Sequence, residues 1–172
     1  GELLSGDMAE LFELRDGVLL VLTDVSGHGP KAHALAEEIS RFLTLHAESN
    51  ITLLMSRLHA KLHGTQGAAV ALLYIDTTAS TAHFCSVGNT RAYRVVGEPW
   101  RPISKDGVLG LRLPTLSEQS IALHNGDVIM LWTDGVSDMA GRSFAAQHSY
   151  RAADMLARDV VNELGRDRKS TR

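Results

Sequence analysis

The sequence predicts an α+β fold, and two observations carry that prediction. Apolar segments come in pairs around short turn sequences, and segments with helical periodicity lie in blocks rather than alternating with strands. The length of 172 residues suits one domain, since a single core usually spans roughly 100–200 residues. Apolar residues make up 44% and charged residues 22%, a balance that indicates a globular core rather than disorder. We therefore expect residues 1–172 to form one domain.

The first third of the chain predicts a hairpin followed by two helices. The Asp16-Gly17 pair divides residues 8–23 into two apolar-rich runs and is a typical hairpin turn. A glycine-rich loop at residues 24–29 follows, and Pro30 suits the first turn of a helix. Helical spacing then recurs twice, and Asn50 is a suitable N-cap for the second helix.

The remaining residues predict five strands and a final helix. The first three strands cover residues 67–76, 81–87 and 91–96. After an irregular segment rich in proline and glycine, Asn125-Gly126 separates two further apolar runs and is a strong hairpin signal. Four apolar residues at helical spacing predict the C-terminal helix: Ala153, Leu156, Val160 and Leu164.

Composition and charge exclude several function classes. The formal charge of −3 offers no general attraction to nucleic acid or to an anionic membrane, and no apolar run approaches the roughly 20 residues of a membrane span. The single cysteine, Cys85, cannot form an internal disulfide and is expected to be a small buried side chain in a strand. No secretion signal is recognisable, so we expect a cytoplasmic protein without nucleic-acid or membrane partners.

Three aspartates stand at strand ends or in tight glycine turns, namely Asp7, Asp24 and Asp134. Carboxylates that converge at the rim of a sheet repel one another unless a cation compensates their charge. Oxygen ligands without clustered cysteine or histidine suit hard divalent metals such as Mg²⁺ or Mn²⁺. The pattern therefore favours a metal site.

The alternative is that these aspartates only form turns, because Asp-Gly and Gly-Asp are common turn pairs. Asp16, Asp106 and Asp127 are interpreted in this structural way. Asp24 and Asp134 differ because each follows a strongly apolar run, although spacing alone does not decide between the two interpretations.

A resemblance to a known family rests on segments spread along most of the chain. They are Ser5-Gly6-Asp7, Asp24-Val25-Ser26-Gly27-His28-Gly29, Gly67-Ala68-Ala69-Val70, Cys85-Ser86-Val87-Gly88-Asn89-Thr90-Arg91, and Gly126-Asp127 leading into Leu131-Trp132-Thr133-Asp134-Gly135. Each segment is loose by itself, but the ordered combination is specific. The chain resembles the metal-dependent PPM protein phosphatases in their bacterial SpoIIE-like branch, and within that branch the stressosome feedback phosphatases.

This resemblance implies a fold and a ligand set. The fold would be an α-β-β-α sandwich, with two antiparallel sheets flanked by helix layers and the metals at one sheet edge. Asp24 would bridge two Mn²⁺ or Mg²⁺ ions, Val25 would lend its backbone carbonyl, Asp7 would bind one ion and Asp134 the other. Asp24 and Asp134 would thus be the catalytic residues, since two such ions lower the pKa of a shared water and neutralise phosphate charge.

The implied function is hydrolysis of phosphoserine and phosphothreonine in proteins of a bacterial stress pathway. The implied partners are phosphorylated STAS-domain proteins of a stressosome. No interface stripe stands out in the sequence, and a monomer is expected.

The sequence departs from the family pattern at three places. The family ends with an Asp-Asp-x-Thr strand that supplies a further metal carboxylate, but Arg168-Lys169-Ser170-Thr171 stands where that strand would begin. Asp167 is a possible substitute, but its neighbours Arg166 and Arg168 favour a solvated tail. Asn89 stands where many relatives carry aspartate, so a third metal is not expected. No arginine precedes Asp7, so phosphate binding is expected to rest largely on the metals.

Several other polar residues allow two interpretations. His28 could protonate the leaving oxygen, but a hydrogen bond that holds its loop is the favoured role. His59 and His63 have the i, i+4 spacing of a metal pair but lack a third ligand, so they are interpreted as surface histidines. Lys31 is expected to be solvated, and Asp138 to be a polar residue at a helix start.

Two other functions stay open at this point. A docking module would keep the phosphatase fold without a complete metal set. The loop at residues 24–29 is also similar to the Asp-x-Gly-x-Gly-like loop of an ATP-binding histidine-kinase fold. That fold needs an asparagine for Mg²⁺ ahead of the loop, and no asparagine precedes Asp24.

Overall fold

A computed structural model describes residues 6–148 and 152–164 of the chain. Backbone contacts divide the chain into two compact units, Gly1–Thr90 with Ile103–Leu123 and Arg91–Pro102 with His124–Arg172. The strands of the described part are β1 (Asp7–Leu14), β2 (Gly17–Val25), β3 (Ala68–Asp76), β4 (Thr81–Val87), β5 (Arg91–Val96), β6 (Gln119–Ala122) and β7 (Val128–Trp132). Its helices are α1 (Pro30–His46), α2 (Ile51–Lys61), α3 (Asp138–Gln147) and α4 (Ala153–Leu164).

The first unit is an antiparallel sheet with two helices against one face. The strand order is β1-β2-β3-β4-β6. Along β2 every second side chain is buried, as expected for a strand with one face in a core. These side chains pack with the apolar stripes of α1 and α2 in one cluster, which includes Leu19, Val21, Leu35, Ile39, Leu43, Leu54, Leu58, Val70, Leu72 and Cys85.

The second unit holds the antiparallel pair of β5 and β7 together with α3 and α4. Arg91 lies opposite Trp132, and a register shift falls between Arg94 and Val96. Its core contains Trp132, Val136, Ala145, Leu156 and Val160. The predicted C-terminal helix is confirmed, with Leu156 and Val160 on its buried side.

The α+β class, with two antiparallel sheets and four helices in the described residues, is confirmed. The hairpin at Asp16-Gly17 is also confirmed, because Leu14 pairs with Gly17 in the β1–β2 register. Pro30 stands in the first turn of α1, and the side chain of Asn50 accepts the Leu53 N–H at the start of α2. Within the described residues, no helix is both long and apolar enough to cross a membrane.

The predicted hairpin at Asn125-Gly126 is wrong. The turn itself forms, with a φ of 91° at Gly126 and the Asp127 N–H donating to the His124 carbonyl at 3.1 Å. However, β6 pairs with β4 and β7 pairs with β5, so the turn carries the chain from one sheet to the other. The residues of a turn determine the local bend of the backbone. Which strand pairs with which depends instead on the sheet edge that is available to each strand.

Two expectations are not tested by the described residues. The prediction of one domain over residues 1–172 stays a prediction, since the structure describes two compact units separately. Asp167 and the segment Arg168-Lys169-Ser170-Thr171 lie outside the described residues.

Candidate functional site

The structure brings Asp7 and Asp24 together at one end of the β1–β2 pair. Asp7 is the first residue of β1, and it lies directly opposite Asp24, the penultimate residue of β2. Side chains of directly opposite residues point to the same face, with Cβ atoms about 4.5–5.5 Å apart. Asp7 is exposed and Asp24 is half-buried. Two carboxylates in this relation repel each other, and a shared cation would remove that repulsion.

The absence of a side chain at Gly6 lets the backbone before β1 pack closely against Val25 at the end of β2. The Val25 N–H donates to the Gly6 carbonyl at 3.4 Å, and the Val25 side chain is buried. A Cβ on Gly6 would lie 2.9 Å from Cβ of Val25, 3.1 Å from Cβ of Ala32 and 3.3 Å from the Val25 carbonyl oxygen. A side chain at position 6 would therefore displace Val25, whose carbonyl is the predicted backbone ligand.

Backbone contacts hold the loop that follows β2. The Ser26 N–H donates to the Gly67 carbonyl at 3.0 Å, and the His33 N–H donates to the Gly29 carbonyl at 3.1 Å. The φ angles of Gly27 and Gly29 are 92° and 81°, in the left-handed region that favours glycine. His28 between them is exposed, and no residue of the described part hydrogen-bonds to its imidazole. Within that part, the favoured loop-holding role of His28 is therefore not seen.

A residue that the sequence analysis did not single out, Gln66, lies near this loop. Its Nε2 atom is buried and has no hydrogen-bond partner in the described part of the chain. This atom would lie 4.0 Å from a Cβ on Gly27. An isolated glutamine before a glycine carries no sequence signal, so only the packing of β3 beside the loop identifies it.

Asp134 lies in the second unit, two residues after the end of β7. It is exposed, and the Val136 N–H donates to the Thr133 carbonyl at 3.3 Å across the turn that carries it. Among the described residues, no group of three or more His, Cys, Asp or Glu side chains comes together to hold a metal. The contribution of Asp134 to a common metal site therefore stays a prediction.

The donor set of the first unit fits a divalent cation such as Mg²⁺ or Mn²⁺. It consists of the carboxylates of Asp7 and Asp24 with the adjacent Val25 carbonyl, all of which are oxygen donors. The close packing of Gly6 on Val25 holds the two strand ends together at this point. We call Asp7, Asp24 and Val25 the β1–β2 site.

The structure also decides the roles of several other residues. The carboxylate of Asp127 is buried, lies 3.6 Å from Nη2 of Arg94 and accepts the His124 N–H at 2.8 Å, so the structural interpretation of Asp127 is confirmed. His59 is half-buried rather than fully exposed, and its Nδ1 accepts the Gly110 N–H at 3.0 Å. His63 lies beyond the end of α2 and is exposed.

The remaining expectations agree with the structure. Cys85 is 1% exposed in β4, as predicted, and burial raises the pKa of its thiol to about 11. Asp138 is the first residue of α3, and Lys31 is exposed in the first turn of α1. Asn89 is exposed directly after Gly88, and the turn residues Asp16 and Asp106 are exposed as well.

Comparison with known proteins identifies the family. The profile of the family described as Stage II sporulation protein E (SpoIIE) matches residues 15–169. The chain belongs to the SpoIIE family. The match covers most of the sequence, from the turn that follows β1 to the end of the described helices and beyond.

Solved structures agree with this SpoIIE family assignment. A structure from work on "The bacterial stressosome: a modular system that has been adapted to control secondary messenger signaling" matches with a TM-score of 0.87 at 25% identity, over 96% of this chain and 88% of the other. RsbX in complex with magnesium matches with a TM-score of 0.78 at 19% identity, over 91% and 78%. The PP2C phosphatase domain of SpoIIE from Bacillus subtilis, with a fragment of its regulatory domain, gives 0.73 at 21% identity, over 94% and 55%.

These matches show that this SpoIIE-family chain has a PP2C-type phosphatase fold. The predicted family and the predicted fold class are thereby confirmed. The likeness to RsbX extends over most of both chains, in accord with the resemblance to stressosome feedback phosphatases.

Proposed function

We propose that this chain is a Mn²⁺- or Mg²⁺-dependent protein phosphatase that hydrolyses phosphoserine and phosphothreonine. The observation that carries the proposal is the direct cross-strand pairing of Asp7 with Asp24 beside Val25. Membership of the SpoIIE family and the PP2C-type fold support the reaction class. The magnesium in the RsbX complex supports the choice of a hard divalent cation.

In this proposal each site residue has its own role. Asp7, Asp24 and the Val25 carbonyl would hold the divalent cations, with Asp134 as a further ligand, as the family resemblance implies. When bound, such a pair of cations supplies an activated water and neutralises charge on the phosphoryl group. The chain's own residues fix the geometry, because Gly6 and the backbone contacts of residues 26–29 leave the strand ends little freedom.

We further propose phosphorylated STAS-domain regulators of a bacterial stress pathway as substrates, and a monomeric, cytoplasmic enzyme. The match to a structure from work on the bacterial stressosome and the match to RsbX support this choice of partner. The formal charge of −3 supports a partner other than nucleic acid or an anionic membrane.

The proposal is tested by replacing Asp24. With p-nitrophenyl phosphate and Mn²⁺, the change Asp24→Asn should lower kcat/KM by about a hundredfold or more, which corresponds to roughly 3 kcal/mol of transition-state stabilisation. The matched control is Asp16→Asn, which makes the same chemical change at the opposite end of the same hairpin. Full activity of Asp24→Asn, or activity of the wild type that chelators do not reduce, would contradict the proposal.

A docking module is the second candidate, because within the first unit the described strands pair two of the predicted carboxylates, Asp7 and Asp24. In that case the protein binds a phosphorylated STAS partner but releases no phosphate with Mn²⁺ present. Measuring partner binding and phosphate release on the same samples separates the two candidates.

A further inference from the structure

A cleft of about 350 Å³ begins at Asp7 and runs between β1 and helix α1. Met8 and Ala36 contribute its apolar lining, and His33, Glu37 and Arg41 line it from the helix. We call this feature the α1 cleft. It belongs entirely to the first unit, and its Asp7 end is part of the β1–β2 site.

The charges along the α1 cleft are arranged unevenly. The Nε2 atom of His33, which lines the cleft together with Asp7, lies 3.8 Å from Oε1 of Glu37. Arg41 follows one turn later, is exposed, and forms no ion pair with any residue of the described ranges. The helix therefore presents a carboxylate nearer to the β1–β2 site, and further away an arginine that forms no ion pair with the described residues.

The strand side of the α1 cleft can bind an extended chain. Among the described strands, β1 lies at the edge of its sheet, with β2 as its neighbour. An edge strand presents N–H and C=O groups on its outer side, and these can pair with a segment of another protein. The cleft thus combines an open strand edge, a small apolar lining and a cation at a fixed distance from the β1–β2 site.

The spacing sets where an acidic residue would be recognised. Arg41 lies two turns beyond His33, which is about 12 Å along a helix. An extended chain advances about 3.3 Å per residue, so this distance corresponds to roughly three or four residues. Glu37, about 6 Å beyond His33, corresponds to roughly two residues.

We infer that the α1 cleft binds an extended segment of the phosphoprotein substrate and selects an acidic side chain three or four residues from the phosphorylated one. The inference rests on the proposed phosphatase function and adds a specificity determinant to it. Arg41 attracts the acidic side chain, while Glu37 disfavours an acidic side chain only two residues from the phosphate. No covalent step is involved, so the effect lies in substrate binding.

The experiment uses the full chain with Mn²⁺ and a set of phosphoserine peptides. Each peptide is otherwise uncharged and carries one glutamate or one lysine at two, three, four or five residues from phosphoserine, on either side. We expect glutamate at three or four residues to raise kcat/KM about threefold over lysine, mainly through KM, as for a partly exposed charge pair. Arg41→Glu should reverse this preference and leave p-nitrophenyl phosphate hydrolysis unchanged.

The matched control is Arg15→Glu, an equal charge change at an exposed residue near the far end of β1. An unchanged peptide preference in Arg41→Glu overturns the inference, and so does an equal shift in Arg15→Glu, which would show a general charge effect. A wild-type protein that does not hydrolyse p-nitrophenyl phosphate would instead count against the proposed phosphatase function. The failure of the inference and the failure of the proposed function are therefore distinguishable.

Discussion

At the scale of single residues, Asp24 and Asp127 show how surroundings decide the role of a carboxylate. Asp127 is buried beside the fully buried side chain of Arg94, so a cation of the protein itself balances its charge. Asp24 lies opposite a second acid, Asp7, across the β1–β2 pair. Two carboxylates placed opposite each other favour the binding of a cation, whereas the charge of Asp127 is already balanced by a buried guanidinium.

The thiol of Cys85 gives a prediction on the pH dependence of stability. Burial raises the pKa of this thiol from its ordinary value of 9.0 to about 11. Between these two values the unfolded chain loses the proton while the folded chain keeps it, so the free energy of unfolding should fall as pH rises from about 9 to about 11. The loss assigned to this residue is about 2 kcal/mol.

Urea unfolding of the wild type and of Cys85→Ala at several pH values measures this effect. Below pH 9 the variant should be less stable because it leaves a small cavity, and it should lack the additional loss of stability above pH 9. Parallel curves for the two proteins would show that Cys85 is not responsible.

At the scale of elements, near neighbours in sequence determine turns and caps, while strand partners depend on distant residues. The turn at Asp16-Gly17 closes a hairpin because its two flanking runs pair with each other over their full length. The turn at Asn125-Gly126 has equally suitable residues, but β6 joins β4 and β7 joins β5. The Asn50 cap needs only the first turn of its own helix, and it was therefore predictable.

The Asn50 cap is open to a direct test. Its Oδ1 atom accepts the Leu53 N–H at 3.0 Å, so Asn50→Ala leaves that donor without its partner. We expect the free energy of unfolding to fall by about 1 kcal/mol, measured by urea denaturation. Asn50→Asp should retain most of the stability because it keeps the acceptor, and equal losses in both variants would argue against capping as the cause.

At the scale of the whole molecule, the candidate metal ligands come from separate parts of the chain. Asp7 and Asp24 belong to the first unit, and Asp134 belongs to the second. A cation that binds the folded protein raises its stability by mass action, by about 2.7 kcal/mol at a concentration one hundred times the dissociation constant. Stability therefore reports metal binding independently of activity.

We expect Mn²⁺ to raise the melting temperature of the wild type by several degrees, as measured by thermal denaturation with and without the ion. Asp24→Asn should abolish this shift because it removes the proposed bridging ligand, and Asp134→Asn should reduce it. Asp16→Asn serves as the control with the wild-type response. A full Mn²⁺ shift in Asp24→Asn would refute the assignment of Asp24 as a metal ligand.

The sequence by itself determined the features that depend on short stretches of chain. These are the apolar run that forms β2, the proline in the first turn of α1, the Asn50 cap, the turn at residues 16–17 and the family to which the ordered segments belong. Local backbone preferences and periodic burial act within a few residues, so they leave a readable pattern.

Only the tertiary structure decided which distant residues meet. It placed Asp7 opposite Asp24, paired Asp127 with Arg94 and brought His59 to Gly110. It also assigned the two strands that flank the turn at residues 125–126 to different sheets. Each of these contacts forms only when whole helices and strands pack against one another. Many pairings are compatible with the same local pattern, and the burial of the complete core selects among them.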